Sequence, residues 1–331
     1  MSKYRAEPID PGATADGFPE WDAHPLRGGF AARLYPTVAP AHRDISFQVT
    51  GPSGPVVRVR ATLGPDQVSL WGLPAVLAWK PDAEPRHIKD GLATALDHLT
   101  ETAARGGASR LVIGGAAEPA CDPLAALLVD RGAEGTVQAS AMVDLHRPAE
   151  ALRADIRDSY RSLTNWGSRN LTLSFVNAAN PDRAAFDLFP DFHARIAGGR
   201  RRGEAYWQVY WNEIAQGRAE MVLGFLPPEN GEDGTLAAGS LVVWAGSTAY
   251  YASGVYDRDK FDKPLGHWPL WNTILRAREA GLSAFDLGEI PPRGHADDKE
   301  ISIAFFKRGF TSGRSLRVKW VLPVWSGEPQ I

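Results

Sequence analysis

One phrase occurs twice in this chain at a fixed distance, and it constrains the fold more than any other feature. Gly107-Ala-Ser109 through Gly114 and Gly281-Leu-Ser283 through Gly288 both read Gly-x-Ser-x-x-x-x-Gly, each directly after an amphipathic helical stretch. The offset is 281 − 107 = 174 residues at both ends of the phrase. Arg131-Gly132-Ala133 and Arg308-Gly309-Phe310 repeat at 308 − 131 = 177, so three inserted residues separate the two registers. A helix, turn and strand recurring at this spacing mark a duplicated domain. The 331 residues are enough for two domains of ordinary size.

The pattern between these phrases supplies a matching order of elements. In the first half, strands are expected at Ile45–Thr50, Val56–Leu63 and Val68–Trp71, divided by Gly-Pro-Ser-Gly and Gly-Pro-Asp turns. Ile88, Leu92, Leu96, Leu99 and Ala103 form one face of a helix from Pro85 to Arg105, which Gly106-Gly107 stops. A strand at Arg110–Ile113, a helix at Leu124–Arg131 and a strand at Val137–Leu145 follow. In the second half, helices are expected at Arg153–Leu173, Arg183–Ile196 and Ala205–Gln216. Strands follow at Ala219–Leu226, Ala237–Ala245 and Thr248–Val255, then a helix at Pro269–Ala280, a strand at Ala284–Leu287, a helix at Lys299–Arg308 and a strand at Leu316–Val324. The expected class is α/β, a mixed sheet with flanking helices. An irregular arm rich in Pro, Gly and Ala covers 1–40, and two domains of one type cover 41–148 and 149–331.

Composition narrows the function. The apolar fraction of 44% and charged fraction of 23% are those of a globular chain. A net charge of −3 does not announce a nucleic-acid binder, so any polyanion must meet a local patch. Cys121 is the single cysteine, so no disulfide can form within the chain; it is read as a buried structural thiol. The opening residues lack the pattern of a signal peptide, and no apolar run nears the roughly 20 residues of a membrane helix. The expectation is a cytoplasmic protein without membrane insertion. The eight His lack ligand spacing, so no metal is expected. Neither a Gly-x-Ser-x-Gly elbow nor a His-Glu-x-x-His motif occurs.

The second half carries Tyr-Tyr-Ala-Ser-Gly at 250–254, Lys-Pro-Leu-Gly-His-Trp-Pro-Leu-Trp at 263–271, Phe-Asp-Leu-Gly-Glu-Ile at 285–290 and Phe-Lys-Arg-Gly-Phe at 306–310. This set resembles the FemAB-like family, the peptidoglycan-bridge aminoacyltransferases and relatives with a doubled GNAT acyltransferase fold. The likeness is strongest over 150–325 and only architectural over 40–148, where the GNAT-like domain is degenerate. It implies transfer of an acyl or aminoacyl group to an amine acceptor, a small molecule or a nucleotide-linked precursor. Relatives use either aminoacyl-tRNA or acyl-CoA as donor. An acyl-CoA-binding GNAT domain usually places a Gly-rich loop before its central helix, where free N–H groups cradle the pyrophosphate. Here that stretch is Asp262 to Pro269, with one Gly and two Pro that donate no N–H. Glu84-Pro-Arg-His-Ile88 in the first half has no Gly. The expected donor is therefore aminoacyl-tRNA, with acyl-CoA-dependent N-acylation of an amino sugar or small metabolite the alternative and a non-catalytic binding protein of the same fold a third reading. Phosphates of a tRNA would meet Arg200–Arg202 and the basic final strand with Arg314, Arg317 and Lys319.

Amide formation needs an unprotonated amine, a donor for the tetrahedral oxyanion and a proton for the leaving group. The resemblance implies that substrates meet where two central parallel strands part, here Thr248–Val255 and Ala284–Leu287. Asp286 sits in an apolar strand, so it is paired, hydrogen-bonded or functional. Glu289 follows at the strand end. Alternation places Tyr251, Ser253 and Val255 on one face and Tyr250, Gly254 and Tyr256 on the other. One tyrosine face packs the core and the other points a hydroxyl into the cleft; alternation leaves open which, and Tyr251 with Ser253 are taken as the cleft residues, with Tyr256 a binding residue. Lys307 matches the family's Phe-Lys pattern and suits a phosphate or carboxylate. Arg157, Arg161 and Asn165 recur every four residues and share a helix face beside Tyr160, Trp166 and Arg169, a setting for an anionic ligand. Trp268 and Trp271, like Trp207 and Trp211, either pack the core or line a substrate groove.

Overall fold

A computed structural model describes residues 3–117, 122–228, 234–260, 262–292, 294 and 296–324. Cys121 lies outside the described residues. The chain divides into two compact units, residues 1–138 with 316–331, and residues 139–315.

The first unit contains β1 (Arg5–Pro8), α1 (Gly29–Leu34), β2 (Arg43–Asp44), β3 (Phe47–Gly51), β4 (Gly54–Arg60), β5 (Thr62–Leu63), β6 (Gln67–Ser69), β7 (Val76–Trp79), α2 (Pro85–Arg105), β8 (Arg110–Ala116), α3 (Pro123–Asp130) and the start of β9 (Glu134–Asp144). An antiparallel sheet runs β1-β3-β4-β7. β8 pairs β6 in parallel, and β6, β5 and β2 continue antiparallel. The face of α2 read from the sequence is the buried one, with Ile88, Leu92, Leu96, Leu99 and Ala103 all in the core. Gly91 lies on that face because a Cβ there would come within 3.1 Å of Val57.

The arm at 1–40 is more ordered than its composition implies. β1 joins the sheet, Trp21 is fully buried, and the fully buried Arg60 guanidinium stacks 3.8 Å from the Trp21 ring. Arg60 donates to the carbonyls of Pro11, Trp21 and Arg27. Such acceptors are what a buried cation requires.

The second unit contains α4 (Ala149–Asp155), α5 (Asp158–Asn170), β10 (Thr172–Val176), α6 (Arg183–Ile196), α7 (Glu204–Ala215), β11 (Ala219–Leu226), β12 (Thr235–Ala245), β13 (Thr248–Tyr256), α8 (His267–Glu279), β14 (Ala284–Ile290), α9 (Asp298–Lys307) and the start of β15 (Arg314–Pro323). Its sheet runs β10-β11-β12-β13-β14 and then residues 139–144 of β9. All neighbours are antiparallel except β13 and β14. Ala249, Phe285 and Leu287 on one face pack against Leu270, Trp271 and Ile274 of α8.

Three expectations change here. The single helix expected over Arg153–Leu173 is two, because Ile156 and Arg157 are extended, with ψ of 139° and 137°. The chain there bonds residues 309–312 instead of its own preceding turn. The Arg157 N–H donates to Gly309 O, and the Asp155 carboxylate accepts from the Ser312 hydroxyl. Strands β1, β2, β7 and β10 were not expected. The closing strand, expected in the second domain, pairs β8 from Arg317 to Pro323 and belongs with the first unit. No described helix is long and apolar enough to cross a membrane.

Candidate active site

β13 and β14 run parallel for three rungs, Thr248–Ala284, Ala249–Phe285 and Tyr250–Asp286, and then part. Each keeps its other neighbour beyond that point, β13 on β12 through Tyr256 and β14 on β9 through Ile290. The gap therefore opens at Tyr250 and Asp286. Asp286 is buried at 7% exposure and accepts from the Gly288 N–H at 2.6 Å. Gly288 adopts φ 94°, where a side chain is strained, and a Cβ there would lie 2.7 Å from Lys307 Nζ. That glycine leaves room for the ammonium, which donates to the Glu289 carbonyl at 3.3 Å. Burial lowers the Lys307 pKa, against the opposing pull of Asp286 and Glu289. Burial, then Asp286, raises that of Tyr250, and Tyr206 of α7 adds to the effect. Asp286, Lys307, Tyr250 and the Glu289 carbonyl thus gather at the gap. The Glu289 carboxylate is on an exposed residue.

Strict alternation along β13 fails. The register slips between Leu241 and Val242, where Ala252 is the extra residue of a bulge. Tyr251 pairs Val242, Gly254 pairs Ser240 and Tyr256 pairs Ala238, so these three share a face. Tyr250, Ser253 and Val255 pair Val243, Leu241 and Gly239 and share the other. This corrects the expected grouping of Tyr251 with Ser253. The Tyr251 and Tyr256 hydroxyls bond each other, and burial raises both phenol pKa values. Tyr250, not Tyr251, stands beside Asp286. The sequence names Tyr250 only on the face not chosen, and Tyr206 not at all, because neither the bulge nor the cross-strand rung leaves a mark in the sequence.

An aromatic cluster fills the other face near the start of α8. Tyr160 packs edge-on against His267 at 4.4 Å and against Phe310 at 5.3 Å, and His267 lies 5.3 Å from Phe306. Gly309 has no room for a Cβ because the Tyr160 ring lies against it. Arg157 caps α5 and stacks 3.9 Å from the Phe305 ring and 4.8 Å from Tyr160. Arg161 pairs with Asp158 and donates to the Ile156 carbonyl, and Asn165 accepts from Arg153 at 2.6 Å. Arg161 and Asn165 thus tie α4 to α5, and with Arg157 outside the helix the expected three-residue face does not form. Trp166 is half-buried and Arg169 exposed. Trp271 is core at 4% exposure, and Trp268 packs against Gly167 of α5. Among the described residues no group of three His, Cys, Asp or Glu is placed to hold a metal.

Residues 150–300 match the acetyltransferase (GNAT) domain family. No curated protein matches the chain. Among solved structures, FemX is similar at 14% identity, over 95% of this chain and 96% of that one, with a TM-score of 0.67. A tandem GNAT protein from the clavulanic acid biosynthesis pathway is similar at 16% identity, over 98% and 100%, with a TM-score of 0.55. L-PGS from Bacillus licheniformis is similar at 13% identity, over 88% and 86%, with a TM-score of 0.54. The chain has the duplicated GNAT fold. Its FemAB-like character, read from motifs at 250–310, is present at the level of the fold.

In this GNAT domain α8 is the helix that follows the parting strand. Gly266 caps it without a side-chain bond, Pro269 supplies no N–H, and a Cβ on Gly266 would lie 2.6 Å from the Tyr256 ring. A tyrosine ring therefore stands against the N-terminus where a pyrophosphate would need open space. Of the basic residues expected to meet phosphates, Arg200 is paired with Asp191, and Arg202 lies over Tyr206 at 5.1 Å. Arg314 donates to the Thr311 and Gly313 carbonyls. Lys319 faces Gly114 across the β15–β8 ladder, and Arg317 faces Ala116.

Proposed function

We propose that the second unit transfers an acyl or aminoacyl group to an amine, forming an amide bond at the gap between β13 and β14. The observation that carries this reading is a buried carboxylate and a half-buried lysine placed at the mouth of that gap. The amine nitrogen attacks the donor carbonyl carbon, and the carbonyl π pair moves to oxygen. Asp286 takes the proton released by the nitrogen, and Lys307 or the Tyr250 hydroxyl stabilises the oxyanion. Collapse of the intermediate expels the carrier's oxygen or sulfur, which collects a proton from Lys307. Arg202 over Tyr206, beside Tyr250, supports an acceptor that also bears a carboxylate or phosphate, as a nucleotide-linked amine does.

Aminoacyl-tRNA is the favoured donor, because the start of α8 offers few N–H groups and a blocking Tyr256 ring. Acyl-CoA is the second reading, favoured by the match of residues 150–300 to acetyltransferase domains. Cell extract supplied with ATP, amino acids and a candidate amine, with and without RNase, separates them. The tRNA reading expects product to vanish with RNase; activity restored by an acyl-CoA alone overturns it.

A further inference from the structure

A cavity of about 280 Å³ lies between the C-terminal turn of α8 and strands β11 and β12, lined by Glu220, Trp244, Arg276, Ala277, Glu279 and Ala280. It is not part of the gap. Glu220 pairs Val242 and Trp244 follows two residues on, so both stand on the face of the sheet that α8 covers. Tyr250 pairs Val243 and stands on the other face, and β12 and β13 separate Glu220 from Asp286 on β14. Pockets for drug-sized ligands run to roughly 300–1,000 Å³, so this one suits a smaller molecule.

The charges around it are unevenly spent. Glu220 is buried at 6% exposure, and its carboxylate accepts from Arg276 Nε at 2.6 Å, from Arg276 Nη2 at 2.5 Å and from Asn177 Nδ2 at 2.9 Å. The guanidinium also stacks 4.4 Å from the Phe175 ring. Arg276 Nη1 is left without an acceptor among the described residues. Glu279 is exposed and makes no hydrogen bond or ion pair among the described residues. Its charge nevertheless reaches the guanidinium. Hydrogen bonding to Glu220 raises the Arg276 pKa, and the Glu279 charge adds to that rise. Positions three apart are neighbours on a helix surface. The cavity thus presents a free cationic donor and a free anion from one helix face, with the Trp244 indole and two alanines completing the lining.

A ligand that satisfies both carries a carboxylate for Arg276 Nη1 and an ammonium for Glu279. A free α-amino acid has these two charges on one carbon. A diacid would meet the Glu279 charge, and a diamine the Arg276 charge. The C-terminal end of α8 acts in the same sense, because its partial negative charge favours a cation. The remaining lining is apolar and aromatic. We propose that this cavity is a second site, taking a free α-amino acid with an apolar side chain. None of these residues serves the gap, so the site stands whether or not the second unit transfers acyl groups.

Calorimetric titration of the whole chain with L-phenylalanine tests it, beside phenethylamine, which lacks the carboxylate, and hydrocinnamate, which lacks the ammonium. L-Phenylalanine is expected to bind, and each analogue to bind about 10-fold or more weakly. Glu279→Gln should weaken L-phenylalanine by about 10-fold and remove its advantage over hydrocinnamate. Trp244→Leu should weaken all three ligands. Glu279 is exposed, so the melting temperature of its variant should match that of the unaltered protein. If Trp244→Leu lowers the melting temperature, Glu279→Gln alone decides. No binding of L-phenylalanine at millimolar concentration overturns the site. An analogue that binds as tightly as the amino acid overturns it too, because the cavity then reads one charge only. Binding of L-phenylalanine that survives Glu279→Gln unchanged places the amino acid elsewhere and also overturns it.

Discussion

Tyr250 and Asp286 face each other on the last rung of the parallel ladder, so the point where the strands part is also where a phenol and a carboxylate lie side by side. Up to that rung the ladder satisfies the backbone. Beyond it, side chains and bound substrates must do so. The raised Tyr250 pKa, from burial and from Asp286, keeps this phenol protonated across the physiological range.

Asp286→Asn should cut turnover by roughly 100-fold or more, since it removes a proton acceptor. Asn still offers an Oδ1 to the Gly288 N–H, so melting temperature should change little. Parallel assays of turnover and thermal unfolding check this. A large drop in melting temperature with normal turnover per folded molecule would make Asp286 a structural partner only.

Lys307 should leave an alkaline signature in stability. Its folded pKa lies below its ordinary 10.5, so between the two values the unfolded chain holds a proton that the folded chain lacks. Stability therefore gains from this group as pH rises through that window. The difference in denaturant unfolding between the unaltered protein and Lys307→Met, followed from pH 7 upward, should grow in favour of the lysine form. A pH-independent difference rejects the assignment.

His267 acts in the opposite range. With a folded pKa of about 4 against 6.5 unfolded, its contribution is complete above pH 6.5 and is lost as pH falls towards 4. The loss should amount to roughly 3 kcal/mol from this group. His267→Phe keeps the aromatic packing and should flatten that part of the acid limb. Urea unfolding at pH 4.5 and 7 measures it, and equal slopes in both proteins would refute it.

Arg60→Met should destabilise the first unit by about 3 kcal/mol, because the arm carbonyls of Pro11, Trp21 and Arg27 lose their shared donor. Limited proteolysis should then cut within residues 10–28 of the variant and spare the unaltered protein. Unchanged protection would show that the arm is held by Phe18 and Trp21 packing alone.

Local periodicity was enough to place α2 and its buried face, because helical spacing and a glycine stop are written in neighbouring residues. The same holds for α6 and for Asp286 as a carboxylate inside an apolar strand, whereas the parallel pairing of the central strands was implied by the family resemblance. The FemAB-like motifs at 250–310 announced the GNAT fold for the same reason. Tertiary structure alone decided the rest. The parallel rung put Tyr250, not Tyr251, beside Asp286, and the bulge at Ala252 moved Ser253 from the face of Tyr251 to that of Tyr250, because one extra residue exchanges the faces of a strand. Bonds from Asp155 to Ser312 and from Arg157 to Gly309 divided a helix that its own residues would have continued. β15 took β8 as its partner, a choice between distant strands on which spacing along the chain is silent.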